Sequence, residues 1–322
     1  MKSSDKLPLV FCFGGQGSQY RHMAAELFKR NDVFRRWMSV GDEVVRERHG
    51  FSVIRAIYDP TRSRAEAFAE FEETHPAIFM VQYALAKALL HSGVEPDRLF
   101  GVSLGEITSL AVSGMATFEP VLRAVSDQPG VYRETCEPGG MTAVLGPPAL
   151  HSELRLLETE SEVAGVNSDE HFVLSAPLAA LDAAERELRN RDIAIHRLPV
   201  PFAFHSRWVD PAAERCRALF GFNIRAGRYP CWSSRAQGPI ADVSAETIWE
   251  AVRGPMNVRD TVRRMEAEGG ALYLDLSPSG TIAAILPQIF EKGSRSRALS
   301  ILSPFGGEEK RLAAVFDAVA RM

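Results

Sequence analysis

Residues 101–105 read Gly-Val-Ser-Leu-Gly, after a short apolar run and before a helix-like stretch. Small flanking residues let a chain turn sharply, and a following helix start sets backbone N–H groups beside the serine oxygen. Two readings fit: a nucleophile held clear of the backbone, or an ordinary strand-to-helix turn. A serine hydroxyl attacks only with a base within hydrogen-bond reach, and eight histidines are available. His205, in PVPFAFHSRWVDPAAERC, ends a strand and an aromatic-flanked loop just before a helix start at Asp210-Pro211. That position suits a catalytic histidine and a packed or capping one equally. His22, His49, His91, His151 and His196 fall in polar or helical settings and read as surface or partly buried residues, while His75, before Pro76, reads as a helix cap. The stretch FCFGGQGSQYRHM (11–23) is a strand, a glycine loop and a helix. It reads as a tight turn, or as a loop turning the Gln16 N–H toward a reacting oxygen; it matches neither common phosphate-loop pattern.

Those residues need a scaffold. Short β-type runs at 7–13, 98–102, 271–276 and 298–302 alternate with helical patterns at 76–91, 105–113 and 278–291. Alternation of this kind predicts an α/β fold with a parallel sheet covered on both faces. The middle differs: strands in 140–146, 163–176 and 192–200 with helices at 148–160 and 177–191 give a β–α–β–β–α–β order, predicting a small ferredoxin-like insert. The expected division is 1–137 with 206–322 as the large domain and 138–205 as the insert.

The 322 residues, 46% apolar and 24% charged with net charge −4, suit a globular protein with a sizeable core and offer nothing to a general nucleic-acid binder. Four scattered cysteines show no zinc spacing and are expected as reduced thiols. The first residues lack a cleavable-leader pattern, and PAIFMVQYALAKALL is too short to span a bilayer, so a cytoplasmic protein without membrane contact is expected.

Taken together, GGQGSQ near the start, GVSLGE near 100 and FAFHS near 205 resemble the acyl-CoA:acyl carrier protein transacylase family. That family includes the malonyl transacylases of fatty-acid synthesis and the acyltransferases of polyketide synthases. The likeness extends through THPAIFMVQYALAKAL, VNSDEHFVLSA, GPMNVRDTVRRM and LYLDLSPSGTI. It implies an α/β-hydrolase-like domain with a ferredoxin-like insert. It further implies that Ser103 attacks an acyl thioester, that His205 takes its proton, and that the Gln16 and Leu104 N–H groups hold the oxyanion. The histidine is oriented in such proteins by a main-chain carbonyl; ungapped matching sets Ala251 at that place, and leaves Asp210 as a helix cap rather than a third triad member. Asn167 and His171 match positions lining the cleft, and Phe204 adjoins the histidine. No metal or bound cofactor is required. The implied partner is an acyl carrier protein delivering its acyl group on a phosphopantetheine arm, or coenzyme A, and Arg215, Arg217, Arg225, Arg228 and Arg235 offer a possible docking face.

Three departures from the family pattern stand out, of which the first two bear on substrate. Malonyl-using relatives carry an arginine that pairs with the free carboxylate of the acyl group, and ungapped matching places Gln128 there. Arg123 and Arg133 are each five residues away, about 140° round a helix, and Pro129 is expected to end or kink that helix. Val102 stands where histidine is usual and lowers the polarity of the cleft mouth, whereas Ser277 replaces a turn glycine, a change that reads as structural. Neutral acyl groups are therefore expected, with Arg207 as a displaced cation for a succinyl-type cargo. Relatives with glutamine at this place are acyl hydrolases of polyketide pathways served by free-standing acyltransferases, which unblock stalled carrier proteins. The competing readings are a transferase loading an acetyl, propionyl or succinyl-type starter, and a catalytically vestigial carrier-binding scaffold. The expected substrate contacts are Gln128, Val102, Asn167, Phe204 and Arg207.

Overall fold

The computed structural model describes residues 6–322; residues 1–5, part of the stretch read as lacking a leader, lie outside it. In chain order the strands are β1 (Leu9–Phe13), β2 (Arg98–Gly101), β3 (Gly139–Val144), β4 (Glu162–Ser168), β5 (His171–Pro177) and β6 (Ile195–Arg197). They continue with β7 (Cys231–Ser233), β8 (Gly238–Pro239), β9 (Met256–Asn257), β10 (Leu272–Asp275) and β11 (Arg297–Ser300). A six-stranded sheet runs β11-β10-β1-β2-β7-β8, parallel except for β8. Every residue of β1 is buried. Leu9, Phe11 and Phe13 join one apolar cluster and Val10 and Cys12 another, so alternate side chains feed cores on the two faces of the sheet. The α/β architecture expected from the sequence is present.

The second sheet runs β6-β3-β5-β4-β9. Its first four strands pair antiparallel around two helical stretches, which is the order of a ferredoxin-like unit. Under it lie Val144, Leu157, Phe172, Leu174, Leu181 and Leu188. The fifth strand, β9, pairs parallel with β4 through Gly165–Met256 and Val166–Asn257, so a segment from far along the chain completes this sheet.

Several elements differ from expectation, each for a physical reason. The helix expected from Pro76 starts five residues earlier, spanning Phe71–His91, because Pro76 withholds only one N–H and the helix is buried on nearly all sides. The helix Phe118–Thr135 does not end at Pro129 but continues through it, since packing of Val125, Gln128, Pro129 and Tyr132 in the core outweighs one missing hydrogen bond. The predicted helix 148–160 breaks at Leu154, which is extended, into Leu150–Glu153 and Arg155–Glu160. The predicted helix 278–291 shrinks to Thr281–Ile285 and a 3-10 turn, Leu286–Gln288, bounded by left-handed Gly280 and interrupted by Pro287. All four cysteines are free and buried. Among the described residues no helix is long and apolar enough to cross a membrane.

Candidate active site

The glycine-fenced serine sits where β2 turns into the helix Leu104–Ser113. The chain there is pressed against the sheet so closely that side chains are excluded. A Cβ on Gly105 would lie 1.9 Å from the Phe13 carbonyl oxygen, and one on Gly101 would lie 2.3 Å from the Glu106 Cα. Between them Ser103 takes φ 58° and ψ −125°, a strained conformation for a non-glycine residue. The turn is fixed from behind by Glu106, whose carboxylate accepts from the Ser234 hydroxyl (2.9 Å) and the Arg235 N–H (3.1 Å).

His205 faces the serine. Its Nε2 lies 2.9 Å from the Ser103 Oγ, and its Nδ1–H donates to the Gly254 carbonyl at 2.8 Å. Because Nδ1 is the donor, the Nε2 lone pair is the one turned to the hydroxyl, as proton abstraction requires. His205 has φ 58° and its own N–H donates to the Val252 carbonyl at 3.1 Å. Phe204 anchors the same loop against Phe71 and, edge-on, Tyr132. The histidine is held by a main-chain carbonyl, but by that of Gly254, three residues beyond the matched Ala251. Asp210 takes no part: it lies within the 3-10 turn Arg207–Ala212, paired with Arg253, rather than capping a helix. Burial pushes the His205 pKa down to about 4, with Arg253 adding to the fall and the Gly254 carbonyl opposing it. The ring is therefore neutral at pH 7, and any reaction that uses His205 as a base should be insensitive to pH from neutrality down to about 5. It should fall as the pH drops through about 4, where the imidazolium can no longer accept a proton. Initial rates of thioester cleavage across pH 3.5–8 check this; an acid limb near 6.5 would contradict it.

The glycine loop after β1 lies alongside. Gln82, fully buried, clasps Gly14: it accepts the Gly14 N–H (2.7 Å) and donates to the Gly14 carbonyl (3.1 Å). A Cβ on Gly15 would be 3.0 Å from the Ser103 Cβ, so a side chain there would have to push the loop or the elbow apart by a few tenths of an ångström. The Gln16 and Leu104 N–H groups have no hydrogen-bond partner among the described residues. Both residues line the same cavity as Ser103 and His205. Two free N–H groups flanking a hydroxyl–imidazole pair can stabilise an oxyanion forming on a carbon attacked by Ser103.

The cavity, about 410 Å³, opens between the two sheets. Val102, Gln128, Asn167, Phe204 and His171 line it, as the matching implied, and Asn167 and His171 lie 3.4 Å apart. Met141, Leu145, Val173, Leu198 and Val200 form an apolar wall from the small sheet and the segment after it. Among the described lining residues there is no Asp, Glu, Lys or Arg. Arg207 is not among them: it pairs with Glu162 at 2.7 Å and stacks on Trp208. The displaced-cation expectation is therefore corrected, because the small-sheet carboxylate holds that guanidinium outside the cavity. Arg123 and Arg133 are likewise spent on Glu119 and Glu72. Of the candidate docking arginines, Arg215, Arg217, Arg228 and Arg235 each pair with a glutamate, and Arg225 donates to the Gly114 carbonyl.

Several lining residues escaped the sequence reading, Tyr132 and three others among them. Ser277, taken as structural, borders the cavity, and exposed His196 sits at its wall. His75 is no cap: it lies inside the helix Phe71–His91, buried, between Gln16 and Gln128. No local pattern marks such a residue, since its partners are about 60 and 50 positions away.

The fold and this site belong to a class of enzymes that move acyl groups. A family model described as "Acyl transferase domain" matches residues 10–309, and the chain belongs to that family. It is 39% identical over 313 residues, 97% of each chain, to the polyketide biosynthesis acyltransferase homolog BaeD of Bacillus velezensis. It is 37% identical over 306 residues, 95% of this chain and 94% of the other, to the homolog PksD of Bacillus subtilis. A solved loading acyltransferase from the avermectin modular polyketide synthase shares the fold at TM-score 0.86 and 22% identity, covering 97% of this chain and 99% of its own.

Proposed function

We propose that this protein cleaves neutral acyl groups from carrier-protein thioesters in polyketide biosynthesis, through an acyl-Ser103 intermediate. The observation that carries the reading is the Ser103–His205 pair, 2.9 Å apart, opening into a cavity bordered by no charged side chain among its described residues. His205 Nε2 takes the Ser103 proton as Oγ attacks the thioester carbonyl carbon. The Gln16 and Leu104 N–H groups receive the developing oxyanion, the C–S bond breaks, and the imidazolium returns its proton to the leaving thiol. Water then attacks the ester, His205 takes one of its protons, and Ser103 leaves reprotonated with the free acid as product.

A malonyl or succinyl carboxylate entering this cavity would lose its hydration without meeting a cation, a cost of several kcal/mol. Gln128, 1% exposed, donates hydrogen bonds but cannot neutralise charge. That two relatives are named polyketide biosynthesis acyltransferase homologs supports a role in such a pathway. Hydrolysis, rather than transfer to a second carrier, rests on the resemblance of a glutamine-bearing chain to the acyl hydrolases. The discriminating assay follows butyryl-carrier protein over time with and without an unloaded second carrier. Release of butyrate at the same rate in both supports the proposal; appearance of the acyl group on the second carrier makes the protein a transferase.

A further inference from the structure

Gln16, His75 and Gln128 form a hydrogen-bonded row that reaches from the glycine loop to the interior of the cavity. Gln16 Nε2 lies 3.1 Å from His75 Nδ1 and 3.4 Å from the Thr74 hydroxyl. With that amide nitrogen donating, Nδ1 accepts, and the single ring proton sits on Nε2. His75 Nε2–H then donates to Gln128 Oε1 at 3.0 Å. Burial pushes the His75 pKa down to about 4, so the ring stays neutral at pH 7 and this ordering holds.

The consequence lies at Gln128. Its oxygen is occupied, so only its NH₂ group remains to meet a ligand, and that nitrogen makes no hydrogen bond among the described residues. Beside it, the buried hydroxyl of Tyr132, which also lines the cavity, makes no hydrogen bond of ordinary geometry; its nearest polar neighbours are the Cys216 sulfur and the Gln128 amide itself. An amide nitrogen and a hydroxyl that make no hydrogen bond of ordinary geometry, side by side in a wall otherwise largely apolar, favour a ligand that brings an acceptor. A carboxylate would satisfy them geometrically while remaining uncompensated in charge; a neutral carbonyl or hydroxyl oxygen satisfies them at no such cost.

We infer that the Gln128 amide and the Tyr132 hydroxyl, ordered by His75 as a positioning residue, select acyl chains carrying a neutral oxygen acceptor over saturated hydrocarbon chains of the same length. This rests on the proposed acylation of Ser103 and adds the substrate class to it. Joining two acyl units through carbon leaves an oxygen at carbon 3, as a ketone or, after reduction, an alcohol. Intermediates of that kind are the cargo this wall is built to read.

The test compares 3-hydroxybutyryl and butyryl thioesters of N-acetylcysteamine, following both acyl-enzyme mass and kcat/KM. The wild-type protein is expected to prefer the hydroxylated chain about tenfold or more. In Gln128→Leu that preference should fall to near one, which separates recognition from any intrinsic reactivity of the hydroxylated thioester. His75→Phe should weaken the preference by loosening Gln128, and His75→Gln, which can both accept and donate, should restore part of it. Equal rates for the two chains in the wild-type protein, or a preference that survives intact in Gln128→Leu, overturn the inference while leaving acylation of Ser103 standing. Failure of either chain to add mass to the wild-type protein counts instead against the acyl-serine reading beneath it.

Discussion

Ser103→Ala is expected to gain no acyl mass from any thioester and to lose at least about four orders of magnitude in turnover. The size follows from what is removed. Among the described residues no other hydroxyl stands in the strained elbow position, 2.9 Å from an imidazole nitrogen whose partner ring nitrogen is tied to a carbonyl. The free Gln16 and Leu104 N–H groups would still polarise a bound carbonyl, so weak residual cleavage by water can persist without a covalent intermediate. Intact-mass spectra taken seconds after mixing, beside the rate of free-acid release, check both halves. A variant that still acquires the acyl group would place the nucleophile elsewhere. The fold itself should be unaffected, because alanine keeps the Cβ that Gly15 packs against.

Gln128→Arg should have the second-largest effect, and it should act on selectivity. A guanidinium there enters a wall without an anionic partner, facing the His75 Nε2–H instead of a carbonyl oxygen. In the free protein this is an uncompensated buried charge, costing several kcal/mol, and the melting temperature should fall. A malonyl group would supply the missing anion, and bidentate pairing with arginine favours it. The ratio of malonyl to butyryl loading, read from kcat/KM, should rise about 100-fold or more over the wild-type ratio. An unchanged ratio in a folded variant would show that charge at this position does not govern cargo.

The sequence carried the centre of the fold well, and for identifiable reasons. Strands β1, β2 and β10 are short apolar runs almost wholly buried, and β11 is a half-buried run at the sheet edge beside them; such runs are recognisable without a structure. The tight strand-to-helix turn was legible too, because Gly101 and Gly105 are demanded by contacts of 1.9–2.3 Å that no other residue could survive, although the motif alone left open whether the turn carries a nucleophile. Strands β7, β8 and β9 were invisible, being two or three residues long with no period to detect. The helix through Pro129 was misjudged because a local rule was overridden by tertiary packing around Tyr132 and Gln128. The Gly254 carbonyl escaped for a different reason: a main-chain acceptor has no side chain to identify it, and matching by position missed it by three residues. Arg207 shows the reverse error. Two residues from the histidine in sequence, it turns outward because Glu162 holds it there.

The most direct trial of the account is one competition. Wild-type protein is mixed with equal concentrations of butyryl- and malonyl-thioester, quenched within the first turnover, and its intact mass recorded, with Ser103→Ala as the blank. The account predicts a butyryl adduct on the wild-type protein, almost no malonyl adduct, and neither on the variant. A spectrum dominated by malonyl would contradict it outright.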